Sequence, residues 1–125
     1  MTAAKKRVLI IEDDQFIREM YALIIRKEGL EVTEAPDGAA GLVEARAGGY
    51  SIILLDLMMP QMDGLAFLKE LKKEPPKTPN GPIYVLSNLA YKDAQEEATR
   101  LGAKGFLVKA DLEPKEVIEL VKQYV

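Results

Sequence analysis

The sequence contains no cysteine, no histidine and no tryptophan in its 125 residues. Without cysteine the chain has no disulfide, no thiolate metal ligand and no thiol redox chemistry. Without histidine it has no imidazole base and no zinc site of the usual composition. Carboxylates, hydroxyls and amines must therefore carry any chemistry that this chain performs.

Long apolar runs and a strong charge of one sign are also missing. No run approaches the roughly 20 apolar residues that span a bilayer, and the run after Arg7 has the length of a strand rather than of a signal-peptide core. Seventeen Lys and Arg against twenty Asp and Glu give a net charge of −3, which offers no overall electrostatic footprint for nucleic acid. We therefore expect a cytoplasmic protein with no membrane span and no direct nucleic-acid contact.

Hydrophobic residues make up 48% of the chain, which is enough for one well-formed core, so we expect residues 1–125 to form a single domain. Strand and helix patterns alternate along it, which indicates an α/β fold. We predict strands near 7–11, 31–35, 51–55, 82–86 and 105–108. We predict helices near 15–28, 38–47, 64–73 and 91–101, and a last helix with Pro114 in its first turn.

The spacing of apolar residues predicts which face of four helices is buried. The inward residues are expected to be Phe16, Met20, Leu23 and Ile24 in the first helix, Leu65, Leu68 and Leu71 in the third, Ala94, Ala98 and Leu101 in the fourth, and Val117, Leu120, Val121 and Tyr124 in the fifth. Asp63 is the expected N-cap of the third helix. The proline-rich segment 74–82 is expected to be a stiff surface loop.

Two short apolar runs each end abruptly at acidic residues. Residues 8–11 are followed by Glu12, Asp13 and Asp14, and residues 52–55 are followed by Asp56. Because ligands bind beyond the carboxyl ends of parallel strands, we expect these carboxylates to converge at a site. Clustered carboxylates repel one another unless a cation neutralises them, and oxygen-only ligands suit Mg²⁺. The sequence therefore predicts a magnesium site.

Two further predicted strands deliver Ser87 and Lys109 to the same edge of the sheet. Each residue also has an ordinary structural role, Ser87 as a turn or cap residue and Lys109 as a surface lysine. Asp56 is as well suited to a turn as to a functional site. Asp13 or Asp14 can cap the first helix, and this is the role that we favour for Asp14. What favours a functional site is the combination, since these groups together neutralise, coordinate and orient a phosphoryl group.

The set resembles the receiver domain of two-component response regulators, the CheY-like family. Glu12-Asp13, Asp56 with Met59-Pro60 and Asp63-Gly64, Ser87, Gly102-Ala103 with Phe106, and Lys109 carry the resemblance, which covers essentially the whole chain. It implies a doubly wound, flavodoxin-like (βα)5 fold whose five parallel strands have the order 2-1-3-4-5. It also implies a signalling phosphoprotein rather than a dedicated enzyme, with self-catalysed phosphotransfer and autodephosphorylation.

The resemblance also assigns roles. Asp56 is the implied phosphoacceptor, supplied by a histidine kinase or a histidine phosphotransfer protein. Asp13, Asp56 and the backbone carbonyl of Met58 are the implied Mg²⁺ ligands, with Glu12 acting through water. Lys109 and Ser87 are expected to contact phosphoryl oxygens.

Ser87 and Phe106 are the switch residues that the resemblance implies. They are expected to alter the face formed by helix 4, strand 5 and helix 5, to which a downstream protein binds. The residues expected on this face are Tyr91, Lys92, Gln95, Phe106, Lys115, Glu119 and Lys122. A buried core position is the alternative for Phe106, and Leu89 and Met58 are expected to restrict access of water to the phosphoryl group.

Residue 110 departs from the family pattern. Receivers usually carry a cis proline after this lysine, whereas Ala110 stands here. Because a non-proline cis bond costs about 2.5–4 kcal/mol, we expect a trans bond and a reshaped loop.

The same residues also allow three other functions to be compared with this one. A receiver that binds partners without being phosphorylated is the main alternative. A haloacid-dehalogenase-type phosphatase is disfavoured because it needs a second aspartate at the position of Met58. A flavodoxin-like nucleotide binder is disfavoured because the three acids after the first strand would repel its phosphate.

Overall fold

A computed structural model describes residues 6–88 and 92–125, in which strands and helices alternate as predicted. The strands are β1 Arg7–Ile11, β2 Glu31–Ala35, β3 Ile52–Leu55, β4 Ile83–Ser87 and β5 Gly105–Val108. The helices are α1 Gln15–Arg26, α2 Gly38–Ala47, α3 Gly64–Lys73, α4 Lys92–Arg100 and α5 Pro114–Lys122, and a short 3-10 turn, Lys109–Asp111, precedes α5. Three strands and two helices match their predicted bounds, and the other bounds that the structure describes differ by one or two residues.

The five strands form one parallel sheet in the order β2-β1-β3-β4-β5, so the predicted fold class is confirmed. The order reverses between β1 and β3, and this switch point is where open α/β sheets bind ligands. Ile11 is in register with Leu55, and the amide of Asp56 donates to the carbonyl of Ile11 at 3.0 Å. Glu12 and Asp56 therefore leave the sheet side by side.

Alternate residues of the two central strands pack on opposite faces of the sheet. On one face Leu9, Ile11, Ile53 and Leu55 join a core with side chains of α2, α3 and α4. On the other face Val8, Ile10, Ile52 and Leu54 pack against α1 and α5. This burial on both faces explains why the two strands read as continuous apolar runs rather than as alternating ones.

The predicted inward face of α1 is partly wrong. Phe16 is 81% exposed and Leu23 is 55% exposed, whereas Met20 and Ile24 are partly buried. The helix instead buries Tyr21, Ala22 and Ile25 against β1 and α5. The residues of α1 from 20 to 25 are all apolar, so the spacing alone is compatible with more than one buried helix face. Packing against α5 determines which of these faces is buried.

The faces predicted for the other three helices agree with the structure. Val117, Leu120 and Val121 are buried in α5, and Leu68, Leu71 and Ala98 are buried in α3 and α4, while Tyr124, Leu65, Ala94 and Leu101 pack as partly buried neighbours. Asp63 caps α3 as predicted, with its carboxylate accepting from the amide of Ala66 at 2.8 Å. Among the described residues, no helix combines the length and the apolar character needed to cross a bilayer.

The proline-rich segment 74–82 is mostly exposed, as predicted, but it is anchored at several points. Asn80 accepts a hydrogen bond from the amide of Tyr50 at 3.0 Å and donates one to the carbonyl of Ala45 at 2.9 Å. Gly48 pairs with Thr78 through an isolated bridge. The segment is therefore held against the end of α2 and the start of β3.

Candidate functional site

Three acidic side chains meet beyond the carboxyl ends of β1 and β3. Glu12 and Asp56 are buried, with 3% and 6% of their surface exposed, whereas Asp13 is exposed at the mouth of the site. One carboxylate oxygen from each residue lies within 4.8 Å of the others. The predicted convergence is therefore confirmed for these three acids.

Asp14 does not join this group. Its carboxylate accepts a hydrogen bond from the amide of Ile17 at 3.0 Å and so caps the first turn of α1. The expectation that four carboxylates converge is thus wrong for Asp14, and the helix-capping role favoured for it is confirmed. The physical reason is that a carboxylate immediately before a helix satisfies a free amide and faces the positive end of the helix dipole.

Lys109 reaches across the sheet edge to two of the acids. Its ammonium donates to Oε1 of Glu12 and to Oδ2 of Asp56, the latter at 3.1 Å, and its side chain is only 10% exposed. The other oxygen of Asp56, Oδ1, accepts from the amide of Met58 at 3.1 Å. Both oxygens of Asp56 are therefore oriented by donors from different loops.

Burial and charge shift the pKa of two groups in this cluster. Burial raises the pKa of Glu12 to about 7, the hydrogen bond from Lys109 opposes the rise, and the neighbouring Asp56 adds to it. Burial acts to lower the pKa of Lys109, but its hydrogen bonds to Glu12 and Asp56 and the charges of both acids raise it above its ordinary value. Lys109 therefore stays positively charged at neutral pH and offsets part of the acidic charge.

The donor set of the cluster fits a hard divalent cation. All three side chains offer oxygen, two of them are buried, and one lysine supplies less positive charge than three carboxylates require. Oxygen ligands of this kind suit Mg²⁺ rather than zinc or copper. The Mg²⁺ predicted from the sequence is consistent with these residues.

The two predicted switch residues lie at different depths. Ser87 is the last residue of β4, is fully buried and pairs in register with Val108 at the edge of the sheet where the acids lie. Phe106 in β5 is partly buried against the core on the α4 side. Of the residues expected on the partner face, Lys92, Lys115, Glu119 and Lys122 are exposed and Gln95 is partly exposed, while Tyr91, like Leu89, lies outside the described residues.

Residue 110 follows the sequence-based expectation. The described residues contain no cis peptide bond, so the Lys109-Ala110 bond is trans. The chain then makes the 3-10 turn, closed by a hydrogen bond of 3.1 Å from the amide of Leu112 to the carbonyl of Lys109. The amide of Ala110 donates to Oδ1 of Asn88 at 2.9 Å.

Two residues near the site were missed from the sequence. Arg18 donates to the backbone carbonyl of Glu12 at 2.9 Å and also pairs with Glu34 at 3.4 Å. Asn88 contacts Ala110 as described above. The sequence carries no strong signal for either: the hydrogen bond of Arg18 to Glu12 crosses the turn between β1 and α1, and that of Asn88 joins two loops that only the fold brings together.

Comparisons with known proteins agree with this geometry. The family model described as "Response regulator receiver domain" matches residues 8–122. The chain is 36% identical over 119 residues to "Chemotaxis protein CheY" of Thermotoga maritima, and the match covers 94% of this chain and 96% of that protein. It is also 33% identical over 111 residues to "Gliding motility regulatory protein" of Myxococcus xanthus, covering 88% of this chain but only 14% of that protein.

Solved structures show the same fold. A CheY-like response regulator receiver domain protein from Methanospirillum hungatei matches with a TM-score of 0.85 at 25% identity, covering 96% of this chain and 93% of that chain. The shared architecture thus includes the sheet edge at which Glu12, Asp13, Asp56 and Lys109 meet.

Proposed function

Because this chain belongs to the response regulator receiver domain family of two-component systems, we propose that it is a phosphorylation-controlled signalling domain. Asp56 accepts the phosphoryl group from a histidine kinase or a histidine phosphotransfer protein. The observation that carries this proposal is the buried Asp56 carboxylate, held by Lys109 at one oxygen and by the amide of Met58 at the other. The donor histidine lies outside these 125 residues, which contain none.

The transfer is a substitution at phosphorus. One carboxylate oxygen of Asp56 forms a new O–P bond while the P–N bond to the donor imidazole breaks, and the imidazole nitrogen keeps the electron pair. The product is an aspartyl phosphate. Phosphoryl transfer depends chiefly on positioning and charge neutralisation, so a held carboxylate with a fixed cation beside it suits this step. The chain thus catalyses its own modification and is not a dedicated enzyme.

Mg²⁺ is the cofactor that we propose for this site. Asp13, Asp56 and the backbone carbonyl of Met58 would hold it, and Glu12 would act through water. When bound, the ion neutralises the clustered carboxylates and the oxygens of the transferred group. The support for this assignment is the oxygen-only cluster of Glu12, Asp13 and Asp56.

Lys109 and Ser87 stabilise the phosphorylated form in this proposal. The ammonium of Lys109 already lies 3.1 Å from Oδ2 of Asp56, so it can pair with a phosphoryl oxygen attached there. Ser87 donates its hydroxyl hydrogen to another phosphoryl oxygen. Charge-assisted hydrogen bonds of this kind are among the stronger ones in proteins.

The output of the domain is a change of surface. Phosphorylation moves Ser87, Phe106 repacks beside it, and the face formed by α4, β5 and α5 changes its affinity for a downstream protein. Phe106 is only partly buried, which leaves it room to change its packing.

Reductive trapping tests the acceptor directly. The protein is incubated with acetyl phosphate and Mg²⁺, treated with borohydride, and digested for peptide mapping by mass spectrometry. Borohydride reduces an aspartyl phosphate to homoserine. We therefore expect homoserine at residue 56 only when both acetyl phosphate and Mg²⁺ were present during the incubation. Conversion at another aspartate would refute the assignment of Asp56, and no conversion would favour a receiver that binds partners without phosphorylation.

A further inference from the structure

A side-chain hydrogen bond joins the described parts of the loops that follow β4 and β5. The last register pair between the two strands is Ser87 with Val108. One residue further along, Oδ1 of Asn88 accepts from the amide of Ala110 at 2.9 Å. Asn88 thus continues the connection between the strands after their ladder has ended.

This hydrogen bond depends on the residue type at position 110. Proline has no amide hydrogen, whereas Ala110 has one at the start of the 3-10 turn; this amide is exposed, and in the structure it donates to Asn88. Proline would also have fixed one backbone dihedral of the turn, and alanine does not. Asn88 therefore supplies a restraint on the turn that the backbone of Ala110 lacks.

The turn begins at Lys109, whose side chain is the fixed cation of the site. Its ammonium reaches Glu12 and Asp56 from a side chain that is 10% exposed. A lysine side chain has several rotatable bonds and can adopt many conformations. The direction of the backbone after β5 determines what fraction of these conformations place the ammonium beside the two acids. A restraint on the backbone of Ala110 therefore also restrains the direction in which the backbone of Lys109 leaves β5.

We propose that Asn88 is a positioning residue for Lys109, acting by holding the amide of Ala110 and so fixing the turn from which the lysine reaches Asp56. The inference rests on the proposed function only for its effect on phosphorylation. The hydrogen bond and the placement of the lysine can be measured without any phosphoryl donor.

The first test uses two variants of similar shape. Asn88→Leu removes the acceptor, and Asn88→Asp keeps an acceptor oxygen in the same place. We expect hydrogen exchange of the Ala110 amide, followed by NMR, to accelerate about fivefold in Asn88→Leu and to stay near the native rate in Asn88→Asp. The signal of the Lys109 ammonium should weaken through faster exchange with water in Asn88→Leu alone. Unchanged exchange, or an unchanged lysine signal, would overturn the proposal.

The second test measures phosphorylation by acetyl phosphate at saturating Mg²⁺, using intact mass. Asn88→Leu should lower the rate about fivefold while the protein stays fully folded at the assay temperature, and should have little effect when combined with Lys109→Ala. An equal loss in the Lys109→Ala background would show a merely structural role and contradict the proposal. If the native protein forms no adduct, the proposed function fails, while the amide and lysine signals still decide the role of Asn88.

Discussion

Charge balance governs the behaviour of the individual residues at the site. Glu12 and Asp56 are buried beside each other, and Lys109 is the cation that lies between them. The exposed Asp13 adds a further negative charge at the mouth. A divalent ion that binds here relieves the remaining repulsion, so its binding should be visible as a gain in stability of the folded state.

The neighbouring residues Asp13 and Asp14 offer a matched pair of variants for this expectation. Mg²⁺ should stabilise the native protein by about 2.7 kcal/mol when its concentration is about 100 times the Kd. Asp13→Asn should remove most of this gain because it removes a proposed ligand. Asp14→Asn should retain it, because Asp14 caps α1 and asparagine is an equally good cap. Thermal unfolding followed by circular dichroism, with and without Mg²⁺, measures the effect, and equal behaviour of the two variants would argue against the ligand assignment.

Among the elements, the junction of α2 with segment 74–82 depends on a glycine. Gly48 has a φ of +81°, and a Cβ built on it would lie 1.8 Å from the carbonyl oxygen of Thr78. Gly29 has a similar φ of +84° but nothing within 4 Å of the same position. Gly48 also has a ψ of −174°, a backbone region that is essentially restricted to glycine, so an alanine there would meet both steric overlap and backbone strain.

We predict that Gly29→Ala costs about 1 to 2 kcal/mol, which is the strain of a left-handed residue alone. Gly48→Ala should cost about 3 kcal/mol or more, because its backbone conformation is nearly restricted to glycine and the segment that carries Thr78 must also move. Urea unfolding of both variants gives the free energies. Similar costs for the two would mean that segment 74–82 is not held against α2 as described.

Helix α1 provides a second comparison at this scale. Ile25 is fully buried and Phe16 is 81% exposed, although both are large apolar residues. Ile25→Ala should lower the free energy of unfolding by about 2–5 kcal/mol, and Phe16→Ala should change it by no more than about 0.5 kcal/mol. A large loss in the Phe16 variant, measured in the same urea experiments, would show that the residue packs against the fold after all.

These elements also show what the sequence can and cannot predict. The central strands β1 and β3 were predictable because continuous apolar runs followed by acids mark buried parallel strands and their ends. The buried face of α1 was not, because so many of its residues are apolar that only contact with α5 decides between stripes. The contact of Asn88 with Ala110 was not predictable either, since it depends on β4 lying beside β5.

At the scale of the whole molecule, the strand order brings the functional groups together. The order β2-β1-β3-β4-β5 places the ends of β1 and β3 next to each other, and β4 and β5 follow on the same side. Residues 44 positions apart, Glu12 and Asp56, thereby become neighbours, and Lys109 reaches both across a sequence separation of up to 97 positions. The same order accounts for the likeness to CheY-like receivers, whose architecture this chain shares.

The central claim is that Asp56 takes up a phosphoryl group in a reaction that requires Mg²⁺. Intact mass after incubation with acetyl phosphate tests it most directly, using the native chain and Asp56→Asn, each with Mg²⁺ and with EDTA. We predict one phosphoryl adduct on the native chain with Mg²⁺ and none under the other three conditions. An adduct that persists in Asp56→Asn or in EDTA, or no adduct where a control receiver is modified, would contradict the account.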